Sequence, residues 1–335
     1  MINTIPVIDI SLMDGSETEY RDFLSQLRIA AHEVGFFYLS GHGVDPALLT
    51  RVQQLARQLF SLTESEKSAI SMINSPHFRG YSHAAAEFTR GRQDWREQFD
   101  MGAERAAVTM LPDMPPWLGM HGPNQWPVSI PELKNTLLKF QQIMTVVALK
   151  LLRAFALALE LPETSFDGIY GAMPNEHMKL IRYPGRDVTS SDQGVGAHKD
   201  SGLLTFVLQD KQRGLQVEVA ENQWIDVAPR DNLLVVNIGE LLELATNGYL
   251  RATMHRVITP PEGRERLSVA YFLGATLDCV VPLYALPAHL AVEATGVAVD
   301  PDNPLLREVG MNYLKGRFRS HPDVAEKFYR HLWRL

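Results

Sequence analysis

A His-Lys-Asp triplet occupies residues 198–200, and a second histidine returns far downstream in Met254-His255-Arg256-Val257. Two imidazoles and one carboxylate form the donor set that holds non-haem Fe(II) on one face of an octahedron and leaves the other positions open. Open positions on ferrous iron mean oxygen chemistry. The spacing within the triplet has a physical basis. In an extended strand residues i and i+2 point to the same face, so His198 and Asp200 can approach one metal while Lys199 points away. His255 must then come back from a distant strand. The intervening chain reads as short strands over residues 203–209, 214–219, 223–227 and 232–238, each β-branched or alternating and bounded by Gly, Asp, Asn or Pro. That length of chain is enough to cross between two sheets and return.

A histidine beside an apolar strand is more often a packed or solvated residue than a ligand, and this chain has 11 of them. A third element narrows the choice. Arg266-Leu267-Ser268 again places two polar side chains at i and i+2, at the head of the apolar run 267–273. A guanidinium inside such a strand is costly unless an anion pairs with it. No acidic residue of that strand is an obvious partner, so a bound carboxylate is expected there. A zinc hydrolase using the same three ligands would give Arg266 and Ser268 no role. A non-catalytic jelly-roll binding protein should show no metal-dependent O2 consumption.

The runs Gly196-Ala197-His198-Lys199-Asp200-Ser201-Gly202, Gly214-Leu215-Gln216-Val217, Asn237-Ile238-Gly239, His255-Arg256-Val257 and Arg266-Leu267-Ser268 resemble, in order and spacing, a known family. It is the isopenicillin N synthase-like group of Fe(II)- and 2-oxoglutarate-dependent dioxygenases. The resemblance extends over nearly the whole chain, through Pro6-Val7-Ile8-Asp9-Ile10, Gly35-Phe36-Phe37-Tyr38-Leu39, Gly41-His42-Gly43-Val44, Arg79-Gly80-Tyr81 and Gly122-Pro123-Asn124-Gln125-Trp126-Pro127.

The resemblance implies a mainly β protein with flanking helices around a double-stranded β-helix (jelly-roll) core. His198, Asp200 and His255 would be the iron ligands. Arg266 and Ser268 would grip the far carboxylate of 2-oxoglutarate, and Tyr183 falls where many members place a tyrosine for the same group. Those members often carry Asn two positions earlier; here it is Ile181. Fe(II), 2-oxoglutarate and O2 would together hydroxylate, desaturate or cyclise a small molecule. The other activity in this group is a 2-oxoglutarate-independent oxidase of the isopenicillin N synthase type, acting on a small peptide and using the Arg-x-Ser pair for its substrate's carboxylate. The run Leu180-Ile181-Arg182-Tyr183-Pro184 resembles that enzyme. Arg79, Tyr81, Phe88, Trp95, Arg96, Tyr271 and Phe272 are candidates for lining the substrate mouth.

Four segments are expected. Residues 1–125 form an N-terminal segment of helices, strands and loops packed on the barrel, and 126–174 the long helix and its connection. Residues 175–285 form the catalytic core, and 286–335 a C-terminal helical tail. Strands are expected at 5–10 and 36–40, helices at 20–33 and 46–59, and a capping box at Thr63 and Glu66. Residues 74–130 read as loop-dominated. In 131–161 the apolar positions Leu133, Leu137, Phe140, Met144, Val147 and Leu151 recur at steps of three and four, the mark of an amphipathic helix. Strands should then run from 178 to about 281. Tyr313, Phe318, Phe328, Tyr329 and Trp333 should pack the helical tail, residues 304–335.

With 335 residues, 45% hydrophobic and 21% charged, the composition is that of a soluble globular chain with a substantial core. A net charge of −7 without long runs of one sign argues against nucleic acid and leaves a small-molecule substrate and a monomer as expectations. Cys279 is the single cysteine, which excludes an intramolecular disulfide and a thiolate cluster. Residues 1–9 lack a leader pattern, and the longest apolar stretch, 140–149, is flanked by Lys139 and Lys150. No membrane association and a cytoplasmic location are therefore expected.

Overall fold

A computed structural model describes residues 4–297 and 303–332. The apolar stripe of the long helix organises one side of the molecule. Its helix runs Glu132–Ala158 (α4, numbered in chain order), and Leu133, Leu137, Phe140, Met144 and Leu151 are all buried along one face. Before it come α1 (Glu17–Glu33), α2 (Pro46–Phe60) and α3 (Glu64–Ala69); after it come α5 (Asp167–Tyr170), α6 (Glu240–Ala245), α7 (Ala288–Ala291), α8 (Val309–Ser320) and α9 (Pro322–Phe328). α4 packs on α1, α2 and the sheet.

The strands are β1 (Val7–Asp9), β2 (Phe36–Ser40), β3 (Gly80–Ser82), β4 (Phe88–Thr89), β5 (Arg92–Gln93), β6 (Glu97–Gly102) and β7 (Asn175–Tyr183). They continue as β8 (Gln193–His198), β9 (Leu204–Gln209), β10 (Leu215–Ala220), β11 (Gln223–Asp226), β12 (Leu234–Ile238), β13 (His255–Ile258) and β14 (Arg266–Gly274). One sheet has eight strands in the order β1-β2-β12-β9-β14-β7-β6-β3, a second has four in the order β11-β10-β13-β8, and β4 and β5 form a separate hairpin.

Period-two alternation assigns each strand's faces. On β14, Leu267, Val269, Tyr271 and Leu273 join the core shared with the helices. Ala270 lies instead in the core between the sheets, with Ile181 and Tyr183 of β7, Val195 of β8, Val217 of β10 and Val257 of β13. This is the double-stranded β-helix that the family resemblance implied.

Several boundaries differ from those read in the sequence. The first strand is only Val7–Asp9, because the Asp9 side chain accepts from the Ser11 amide and turns residues Ile10–Asp14 into a 3-10 helix. α1 starts before Tyr20, since Ser16 and Glu19 form a capping box. The box at Thr63 and Glu66 forms as expected. Residues 74–130 are loop-dominated as expected, but two short strands within them, β3 and β6, complete the large sheet, and every residue of β6 is buried. The charges of Glu97 and Asp100 make β6 look polar, yet Lys67, Arg182, Lys179 and Arg317 pair with them. The last strand ends at Gly274, with Val280 making only an isolated bridge to Glu308. Among the described residues of 304–335 the tail holds two helices, broken at His321 because Pro322 starts a new one. Trp333 lies outside the described residues.

Candidate active site

His198 ends β8 and His255 begins β13, and the two face each other as register partners of that antiparallel pair. Their ring centroids are 4.3 Å apart. Asp200 is not on the strand: β8 stops at His198, and residues 199–203 form a loop capped by the start of α6. There the Gly239, Glu240 and Leu241 amides donate to the carbonyls of Leu203 (2.9 Å), Asp200 (2.7 Å) and Gly202 (3.1 Å). Gly239 is required by close approach, since a Cβ there would stand 2.1 Å from the Gly202 carbonyl oxygen.

Asp200 Oδ1 lies 3.6 Å from Nε2 of both His198 and His255, and the ligating atoms of the three residues all fall within 4.8 Å of one another. Nδ1 of His198 is 2.8 Å from the Gly196 carbonyl, and Nδ1 of His255 is 3.1 Å from that of Thr253. A carbonyl only accepts, so each Nδ1 carries the proton and each Nε2 keeps its lone pair for a metal. Asn237, missed in the sequence as a site residue, donates from Nδ2 to Asp200 Oδ2 at 2.8 Å. Its signal is a polar side chain on the inward face of an otherwise apolar strand. Burial opposes the Asp200 charge, but the two imidazoles hold its carboxyl well below the usual range. Burial and His255 push His198 down, whereas Asp200 outweighs burial at His255 and raises it. Two neutral imidazoles and an anionic carboxylate, converging with their second atoms fixed, fit a divalent iron.

The second half of the site lies on β14 and its neighbours. Arg266 is 1% exposed and stands opposite Tyr183 of β7, whose ring centre is 5.1 Å from its guanidinium carbon. Its Nη2 donates to Gln209 Oε1 at 2.9 Å and its Nη1 to Ser268 Oγ at 3.3 Å, and its Nε has no partner. No carboxylate among the described residues pairs with it. The nearby Asp210 accepts from the Leu267 and Gln212 amides and pairs with Arg57. Burial pushes the Arg266 guanidinium down. A buried, acid-free arginine with an orphaned N–H fits an incoming carboxylate. Gln209, register partner of Ser268, was also missed; a polar strand end gives little signal by itself.

Two family profiles match the chain. "Non-haem dioxygenase in morphine synthesis N-terminal" covers residues 5–129, and "2OG-Fe(II) oxygenase superfamily" covers residues 174–275. A 2-oxoglutarate-dependent dioxygenase, frbJ, of Dothideomycetidae sp. is 34% identical over 97% of this chain and 92% of its own length. The chain belongs to the 2-oxoglutarate- and Fe(II)-dependent oxygenases. Homoarginine-6-hydroxylase 2-ODD-C23 of Glycine max is 35% identical over 83% of this oxygenase and 88% of its own length. The crystal structure of a full-length Neurospora crassa protein in complex with alpha-KG and 5-formyluracil superposes with a TM-score of 0.74 at 25% identity, covering 93% of this chain and 95% of that one. The oxygenase is thus an oxidoreductase that uses iron and 2-oxoglutarate, with O2 as the usual co-substrate.

Beside His198 and Asp200 the oxygenase has a half-open cavity of about 260 Å³. Of the seven side chains expected at its mouth, only Arg96 and Phe272 line it. Tyr271 alternates to the helical face of β14 and meets Thr145 at 2.8 Å. Tyr81 is buried against Glu97, Arg79 is buried against Gly102, Phe88 is 51% exposed on the β4–β5 hairpin, and Trp95 is not part of the wall. The wall includes residues of α8, among them Tyr313, which the sequence reading names only as a packing residue, and Arg317, which it does not name.

Proposed function

We propose that the oxygenase couples decarboxylation of 2-oxoglutarate to oxidation of a small molecule, with His198, Asp200 and His255 holding the iron and Arg266, Ser268 and Tyr183 holding the far carboxylate of 2-oxoglutarate. The observation that carries this reading is Arg266, a fully buried guanidinium with no protein acid and an unpartnered Nε. A charge so placed needs an anion from outside the chain. Guanidinium and carboxylate match as two parallel hydrogen bonds, and the Ser268 hydroxyl adds a third donor beside them.

Iron bound by the three ligands supplies the activation of O2. The chain's own residues do the positioning. Asn237 turns the Asp200 carboxylate, and the Gly196 and Thr253 carbonyls hold the two imidazoles in one tautomer. Gln209, itself anchored to the Val227 carbonyl at 3.1 Å, fixes one edge of Arg266 and leaves the rest for its ligand. Ile181, Leu241 and Phe272 present apolar surface to the cavity, which keeps water from the reacting C–H bond.

The test is aerobic incubation of the protein with Fe(II), 2-oxoglutarate and a metabolite pool. Substrate-stimulated succinate is expected, in step with O2 uptake. Oxidation without succinate would favour the oxidase of isopenicillin N synthase type instead.

A further inference from the structure

The cavity beside His198 and Asp200 has a one-sided charge. Arg96, Lys179, Lys199 and Arg317 all reach its wall, whereas Asp200 is the one carboxylate among the described residues that does. Lys199 is closed off by both oxygens of Glu243, at 2.9 and 3.2 Å. The acids that face the other three lie behind the wall. Glu87 takes Arg96 at 2.7 Å and Lys179 at 3.6 Å, Asp94 takes Arg96 at 3.6 Å, and Asp100 takes Arg317 at 3.1 Å and Lys179 at 3.6 Å.

A fourth cation stands beside this cluster, off the cavity wall and with no ion pair of its own among the described residues. Arg79 is 6% exposed, its one hydrogen bond is a 3.5 Å contact to the Phe78 carbonyl, and its Nε has no partner. Tyr313, Arg317, Asp100 and Arg105 are the charged and polar groups that bear on it. Four cations, Arg79, Arg96, Lys179 and Arg317, therefore share three carboxylates, Glu87, Asp94 and Asp100, and His321 also lies 2.9 Å from Glu87. His177, between Asp100 (2.8 Å) and Arg317 (2.9 Å), is kept neutral by burial and by Arg317. One buried positive charge is left over, and burying an uncompensated charge is unfavourable.

We propose that the primary substrate of this oxygenase is a small monocarboxylate, whose carboxylate is held by Lys179 of β7 and Arg317 of α8 while its carbon skeleton lies on Phe272, Ile181 and Leu241 beside His198 and Asp200. The volume, just under the ~300 Å³ at which ligand pockets usually begin, sets the substrate as small. Specificity then resides partly in α8, an element outside the two sheets. This assignment rests on the reading of His198, Asp200 and His255 as the metal site for where oxidation occurs, but not for which chemical group the cavity accepts.

The experiment is calorimetric titration of the anaerobic Fe(II)·2-oxoglutarate holoenzyme with paired probes. The set runs from short-chain to aryl-alkyl monocarboxylates, each matched with its primary amide. L-Homoarginine and its amide are included, because relatives carry that substrate in their names. At least one acid is expected to bind about tenfold or more tightly than its amide, the scale of one charged hydrogen bond. Arg317→Gln and Lys179→Met should each erase most of that preference while leaving the 2-oxoglutarate affinity in place. If Arg317→Gln fails to fold, because it also ties α8 to Asp100, Lys179→Met decides alone. Amides binding as tightly as acids throughout the set, or a preference that survives the substitutions, overturns the proposal. Failure of wild type to bind 2-oxoglutarate would instead strike the function proposed above, and the acid–amide comparison can still be made without it.

Discussion

Asn237 shows how much of this site is carried by residues that never touch the metal in the proposed assignment. Its amide is 1% exposed and makes a 2.8 Å bond to Asp200 Oδ2, leaving Oδ1 aimed between the two imidazoles. Asn237→Ala removes that constraint without removing a ligand. Metal affinity is expected to fall about 10- to 100-fold, the usual effect of losing an outer partner, as measured by anaerobic Fe(II) titration. Unchanged affinity would mean that the loop alone orients Asp200. At this scale the sequence is most informative where chemistry restricts residue type. His198, Asp200, His255 and Arg266 stand out because few other roles suit them in apolar strands. Asn237 and Gln209 do not, since amides occur throughout a fold and their roles depend on which strand lies opposite.

Elements are legible where their signals are local. The stripe of α4 and the capping box at Thr63 and Glu66 need only a few neighbouring residues. β6 is hidden because its charges are matched by residues from α3, β7 and α8, which no local window contains. The loop bearing Asp200 likewise reads as strand, since its geometry is imposed by the start of α6 rather than by its own sequence. Gly239→Ala tests that dependence. Its φ of −94° is ordinary, so the effect comes only from the Cβ that would meet the Gly202 oxygen at 2.1 Å. The loop must move, at a cost of about 1–3 kcal/mol typical of overpacking. Thermal unfolding and metal titration of the variant should both worsen. A loss of stability with wild-type metal affinity would show that α6 does not position Asp200.

Across the whole molecule, buried ionisable groups set the response to acid. His42, His77, His121 and His177, none of them a proposed metal ligand, are pushed below 6.5 chiefly by burial. Unfolded, they take up protons near pH 6.5 that the folded state refuses, so the unfolded chain binds more protons and stability falls as pH drops from there. His255, raised by Asp200, and the carboxyls of Glu240, pushed up to about 7 by burial, and Glu176, also raised by burial, pull the other way but are three groups against four. Burial opposes the charges of Glu87 and Asp100, yet their cations hold both low, so these carboxylates add their loss only below the ordinary values of 4.5 and 3.8. The melting temperature of the metal-free protein, measured at constant ionic strength from about pH 7.5 to about pH 5.5, is expected to decline. A flat or rising profile would mean that these imidazoles are protonated in the fold.

In the proposed assignment the two working ends of one barrel rest on different residues, metal on His198, Asp200 and His255, and 2-oxoglutarate on Arg266. The most direct measurement is 2-oxoglutarate titration of anaerobic Fe(II) protein, followed by the metal-to-ligand charge-transfer absorption that a keto acid gives on ferrous iron. Hydrogen bonds to charged groups are worth about 1.5–3 kcal/mol each, so losing a bidentate pair in Arg266→Ala should weaken 2-oxoglutarate binding by about 100-fold or more. Iron should stay bound. Arg266→Lys, which keeps the charge but not the planar fork, should fall between the two. Wild-type 2-oxoglutarate affinity in Arg266→Ala would contradict the account.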